Sequence, residues 1–175
     1  MHLQKIGLLF LPVFAFSVST LVDSVLSASF SADGQRIVTA SVDRVALVWD
    51  VSGKLLAKLQ QHEGGVNSAR FSPDGERIVT ASSDSTVCVW DLSRKLVTEL
   101  HGHQGAVIST SFSPDGKLIL TASSDKTARV WDANGRLLVQ LQHQNEVTKG
   151  SFSPDGKRIF TASADGILPK SPEKP

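Results

Sequence analysis

Three histidines in this chain are each followed by hydroxyl-bearing residues and then by an aspartate. The sets are His62 with Thr80, Ser82 and Asp84, His103 with Thr121, Ser123 and Asp125, and His143 with Thr161, Ser163 and Asp165. Imidazole, hydroxyl and carboxylate are the groups of a nucleophilic triad, in which the hydroxyl attacks, the imidazole takes its proton and the carboxylate orients the ring. Two features argue against that chemistry. The set recurs along the chain, whereas a nucleophile is needed once, in a cleft with donors for an oxyanion. A tryptophan also follows the first two sets, at Trp90 and Trp131, and an indole N–H is a hydrogen-bond donor with no part in acyl transfer. The sets therefore read as structural networks, and no catalytic residue is assigned. Metal binding is not expected either, because the histidines fall in separate units with His101 as one stray neighbour, while a zinc site takes about four converging ligands. The glycines belong to turns and form no phosphate-cradling loop, so no cofactor is expected. Cys88 stands where other units have Leu47 and Arg129, which marks it as a packing residue.

The elements that must position these groups follow from the spacing. Phe-Ser-Pro-Asp-Gly, an apolar run, Thr-Ala-Ser-x-Asp and Val-Trp-Asp return every 41 residues or so, anchored on Phe30, Phe71, Phe112 and Phe152 and on Trp49, Trp90 and Trp131. In the second unit, Val66 to Phe71 reads as a strand closed by the turn Ser72-Pro73-Asp74-Gly75, where proline presets φ and glycine accepts φ > 0. Arg77 to Ser82 follows as a strand apolar or small on both faces, the pattern of a strand sandwiched between sheets. Thr86 to Trp90 and Lys95 to Leu100 complete four antiparallel strands. The first unit has Ala32 in place of the turn proline, which a type I turn tolerates.

With Trp-Asp at Trp49-Asp50, Trp90-Asp91 and Trp131-Asp132 and Gly-His at Gly102-His103, residues 23–165 resemble the WD40 repeat family. The resemblance implies an all-β fold, a β-propeller of WD40-type four-stranded blades, incomplete, with three full blades and a partial fourth. The units run at about 23–60, 61–101, 102–142 and 143–165. It also implies a tetrad in each complete blade: His62, Thr80 or Ser82, Asp84 and Trp90 in the second, and His103, Thr121 or Ser123, Asp125 and Trp131 in the third. Leu21 stands where the first unit's histidine is due, and Ser171 where the fourth unit's tryptophan is due.

Residues 1–22 lie outside the repeat. A basic start, the apolar run Ile6 to Phe16 and the small residues Ser17-Val18-Ser19 have the layout of a signal peptide cleaved near Thr20. The alternative is an extra outer strand over Val13 to Leu21. Localisation follows that choice, cytoplasmic or secreted. Three prolines and three charges mark 166–175 as a disordered tail. The charges, 18 basic against 17 acidic for a net +1, are interspersed and leave no footprint for nucleic acid or an anionic membrane.

The family resemblance implies a non-catalytic scaffold for protein–protein interaction, binding a protein or peptide on its loops. The candidate contact residues are Glu63, Gly65, Gln104, Gln144, Asn145 and Glu146 before each first strand, with Ser83 and Ser124 beside the turn aspartates. The alternative is a truncated fragment of a longer array with little activity alone, and an enzyme on a propeller scaffold ranks third. Open sheet edges invite pairing, so a homodimer completing a ring is expected, the Val13 to Leu21 strand of one chain joining the fourth blade of the other.

Overall fold

The structure is a computed structural model that describes residues 24–164 and the backbone of 166–170. Among these residues, fifteen strands form four antiparallel sheets, each a meander in chain order. The first holds β1 Val25–Phe30, β2 Arg36–Ser41, β3 Ala46–Asp50 and β4 Leu55–Leu59. The second holds β5 Val66–Phe71, β6 Arg77–Ser82, β7 Val87–Asp91 and β8 Leu96–Leu100. The third holds β9 Val107–Phe112, β10 Leu118–Ser123, β11 Thr127–Asp132 and β12 Leu137–Gln142. The fourth has three strands among the described residues, β13 Val147–Phe152, β14 Ile159–Ser163 and β15 Gly166–Lys170. The sheets stack in chain order as an open arc of propeller blades, each first strand packing on the first two strands of the blade before it.

The first hairpin of every blade is built by one device. Ser72 Oγ donates to the Asp74 carboxylate and accepts the Arg77 N–H at 2.9 Å, while Gly75 N–H donates to Ser72 O at 2.9 Å. Gly75 has φ +72° there, in the left-handed region open to glycine at no steric cost. Ser31, Ser113 and Ser153 make the same bonds to Asp33, Asp115 and Asp155. Ala32 in place of proline leaves the turn intact, since no bond in it needs that side chain.

The core is divided among the junctions between blades. Val38, Ala40, Ala69 and Phe71 fill the first, Val79, Ala81, Val107 and Phe112 the second, and Leu120, Ala122, Val147 and Phe152 the third. The first two also have a lateral tie. The Arg36 guanidinium lies 5.6 Å over the Phe71 ring and donates to Gly75 O at 3.4 Å; Arg77 lies 5.5 Å over Phe112 and donates to Gly116 O at 2.8 Å. Such stacking is worth about 0.5–2 kcal/mol. The third junction has Leu118 at this place, packed in the apolar cluster with Phe152.

One expectation needs correction. Residues 166–170, taken as the start of a disordered tail, form β15 and pair with β14 from Ser163↔Gly166 to Ile159↔Lys170. The free edge of β14 supplies the ladder, and Pro169 is tolerated because it sits on an outermost strand. The signal-peptide layout, the extra strand over Val13 to Leu21, Leu21, Asp165, Ser171 and the rest of the tail lie outside the described residues.

Candidate functional site

The hydroxyl that joins each network is the threonine. Trp90 Nε1 donates to Thr80 Oγ1 at 3.0 Å, His62 Nε2 lies 2.8 Å from the same oxygen, and His62 Nδ1 lies 3.0 Å from Asp84 Oδ2. In the third blade the distances are 3.0 Å from Trp131 Nε1 to Thr121 Oγ1, 2.7 Å from His103 Nε2 to Thr121 Oγ1, and 2.7 Å from His103 Nδ1 to Asp125 Oδ2. An ionised carboxylate only accepts, so His103 donates from Nδ1, and the Thr121 hydroxyl donates to Nε2 while accepting the indole N–H.

Ser82 and Ser123 do a different job. Their hydroxyls donate to Gly64 O and Gly105 O at 3.0 and 3.1 Å and accept Asp84 N–H and Asp125 N–H at 3.1 Å each. They tie the loop before the first strand to the turn after the second. The aspartates reinforce the tie, because Glu63 N–H donates to Asp84 Oδ2 at 2.9 Å and Gln104 N–H to Asp125 Oδ2 at 3.0 Å.

Two threonines complete these networks without having been anticipated. Thr86 donates through Oγ1 and N–H to Asp84 Oδ1 at 2.6 and 2.9 Å, and Thr127 does the same for Asp125 at 2.7 and 2.9 Å. The signal was the Asp-x-Thr spacing shared by these two units. Burial works to raise both carboxyls, but the hydrogen bonds from Thr86 and Thr127, the Glu63 and Gln104 N–H groups and the neighbouring imidazoles together outweigh it and hold each at about 2. The His103 imidazole is pushed below its usual range by burial, which Asp125 offsets only in part.

The outer blades carry parts of the same arrangement. Trp49 Nε1 donates to Thr39 Oγ1 at 3.0 Å, but Val45 replaces the second threonine and Asp43 Oδ1 is buried with no partner among the described residues. In the fourth, Thr161 Oγ1 lies 3.1 Å from His143 Nε2.

The third blade differs in one side chain. Arg129, 8% exposed, lies 5.9 Å over the Trp131 ring, and its Nη2 is 3.9 Å from Asp125 Oδ2. Gly102 makes room for it: a Cβ there would stand 2.5 Å from Arg129 Nη1. At the matching place Cys88 is fully buried, and burial, Glu99 and Asp84 push its thiol up to about 12, which leaves it inert as a nucleophile.

Of the candidate contact residues, Glu63, Ser83, Gln104, Gln144, Asn145 and Glu146 are exposed at one end of the sheets. Gly65 and Ser124 are half-buried. Gly65 lies against the first blade, where an added Cβ would meet Val42 O at 3.3 Å, and Ser124 Oγ closes on Gly105. Ser83 is engaged within the chain by Asn67, whose amide donates to Ser83 Oγ at 3.1 Å and to Val107 O at 2.9 Å. No group of three or more histidine, cysteine, aspartate or glutamate side chains among the described residues could hold a metal ion.

The family model described as WD domain, G-beta repeat matches residues 16–50, 53–91, 94–132 and 135–168. No individual curated protein matches the chain.

Proposed function

Because the chain belongs to the WD40 repeat family, whose members generally act as protein–protein interaction scaffolds, we propose that it binds a protein or peptide on the loop rim above its networks, without catalysis. The observation that carries this reading is where the networks spend their hydrogen bonds. Asp84 and Asp125 are turned to the backbone of the loops before β5 and β9, and Ser82 and Ser123 brace the same loops from below. Ordering a loop beforehand removes an entropic cost from association. The network residues His62, Thr80, His103 and Thr121 are buried and hydrogen-bonded to one another, so none of them faces solvent as a nucleophile. The exposed rim side chains Glu63, Gln104 and Glu146 are then the contact candidates.

Affinity capture from the native extract tests this. The wild-type chain is compared with a Glu63→Ala, Gln104→Ala, Glu146→Ala triple variant whose thermal unfolding matches it. Proteins held by the wild type and lost by the variant support the rim; identical capture by both removes it.

A further inference from the structure

Beyond the rim, and independently of it, we infer that the two end faces of the array are complementary and that a second copy of this chain docks head to tail between them. The observation is a joint that repeats inside the chain and is left half-made at each end. At the first two junctions, an arginine opening one blade's second strand lies over the phenylalanine closing the next blade's first strand, as Arg36 over Phe71 and Arg77 over Phe112. Packed against the blade before it, Phe71 is 8% exposed and Phe112 and Phe152 are half-buried, whereas Phe30, with no blade before it among the described residues, is 65% exposed. At the far end Arg158 holds the same place on the fourth blade as Arg36 and Arg77, and it is exposed.

The apolar surface beneath the joint matches in the same register. Val38, Val79 and Leu120 are fully or almost fully buried at internal junctions, yet Phe160, their counterpart, is 42% exposed. Opposite Leu120 sits Gly150, so close that a Cβ there would fall 2.8 Å from Leu120 Cδ2. Gly150 is buried there, whereas its counterpart on β1, Ala28, is also small but exposed. A large side chain on one end face therefore meets a small one on the other, as happens within the chain. The outer part of the first blade's face, Ile37, Leu47 and Trp49, is buried already. Internal junctions form chiefly through the first strand, and β1 is the strand that lies open. The four blades of the described residues, the fourth with three strands, give a closed two-copy ring of about eight, within the usual propeller range.

Sedimentation velocity on the 175-residue chain at tens of micromolar tests the joint. The wild type is expected at twice the 18.8 kDa chain mass. Phe30→Ala and Arg158→Asp, both at exposed positions and checked for folding by tryptophan fluorescence, are each expected to weaken self-association by about tenfold or more. The decisive arm mixes the two variants. One retains a sound tail and the other a sound head, so the mixture regains one intact joint and forms a one-to-one pair that neither makes alone. A monomeric wild type, as results if residues 1–22 cover β1, overturns the inference. So does a mixture that stays monomeric, or single variants that associate as the wild type does.

Discussion

Replacing Trp90 by phenylalanine keeps the ring and removes the N–H that Thr80 Oγ1 accepts. The buried hydroxyl then loses a partner while still facing His62, and the expected cost is about 1–3 kcal/mol. Trp49→Phe is expected to cost less, because Thr39 faces no imidazole among the described residues and its hydroxyl is turned to Leu47 O. Urea denaturation of both variants checks the difference, and equal losses would remove the imidazole from the account. Val45→Thr is the opposite experiment: a hydroxyl placed as in Thr86 gives the orphaned Asp43 Oδ1 a donor, for an expected gain of about 1 kcal/mol. The carboxylates also set an acid limit. Asp84 and Asp125 titrate at about 2 in the folded chain and near 3.8 when unfolded, so their stabilisation, about 2 kcal/mol each, is complete above pH 4 and lost between pH 4 and 2. His103 has a lowered folded pKa. The unfolded chain takes up that proton first, and stability declines as pH falls below about 6.5. Denaturation midpoints from pH 7 to 3 read both effects, and a flat profile between 7 and 5 excludes the histidine.

The same physics explains which elements could be read in advance. The Ser72-Pro73-Asp74-Gly75 turn and the doubly apolar run after it specify β5 and β6 because each residue there has one local task. Thr80 and Ser82 could not be told apart, since residues two apart share a face of the strand and both can donate. The structure separates them by height: Thr80 pairs with Cys88 beneath the indole, while Ser82 sits at the strand end beside the loop. β15 was missed because its composition is that of a tail; its order comes from the free edge of β14, a partner no local pattern discloses. Arg129 and Gly102 show a dependence between elements of the same kind. Gly102 has φ +142°, and Gly102→Ala would combine backbone strain with displacement of the guanidinium, for an expected loss of about 1–3 kcal/mol in chemical denaturation. The matching Gln61→Ala in the second blade, where Cys88 replaces the arginine, is expected to change stability by no more than about 0.5 kcal/mol.

Across the whole molecule the core is a series of seams between sheets, and stability should follow the number of seams a blade shares. The second and third blades have a neighbouring blade on both sides. Amide hydrogen exchange is expected to be slowest in β6, β7 and β10 and fastest in β1 and β15. Uniform protection would mean that the arc opens only as a unit. The lateral arginine has one more implication, for how such a chain grows. In the second unit, Arg77 serves the blade that follows and Phe71 receives from the blade before, so both halves of the joint are inherited within one stretch of about 41 residues. A tandem duplication of that stretch would arrive already fitted to its neighbours and to itself. Lengthening the array by gene duplication therefore requires no compensating substitution, whereas duplicating the third unit, which brings Leu118, would set a leucine over Phe112 of the new copy in place of the arginine.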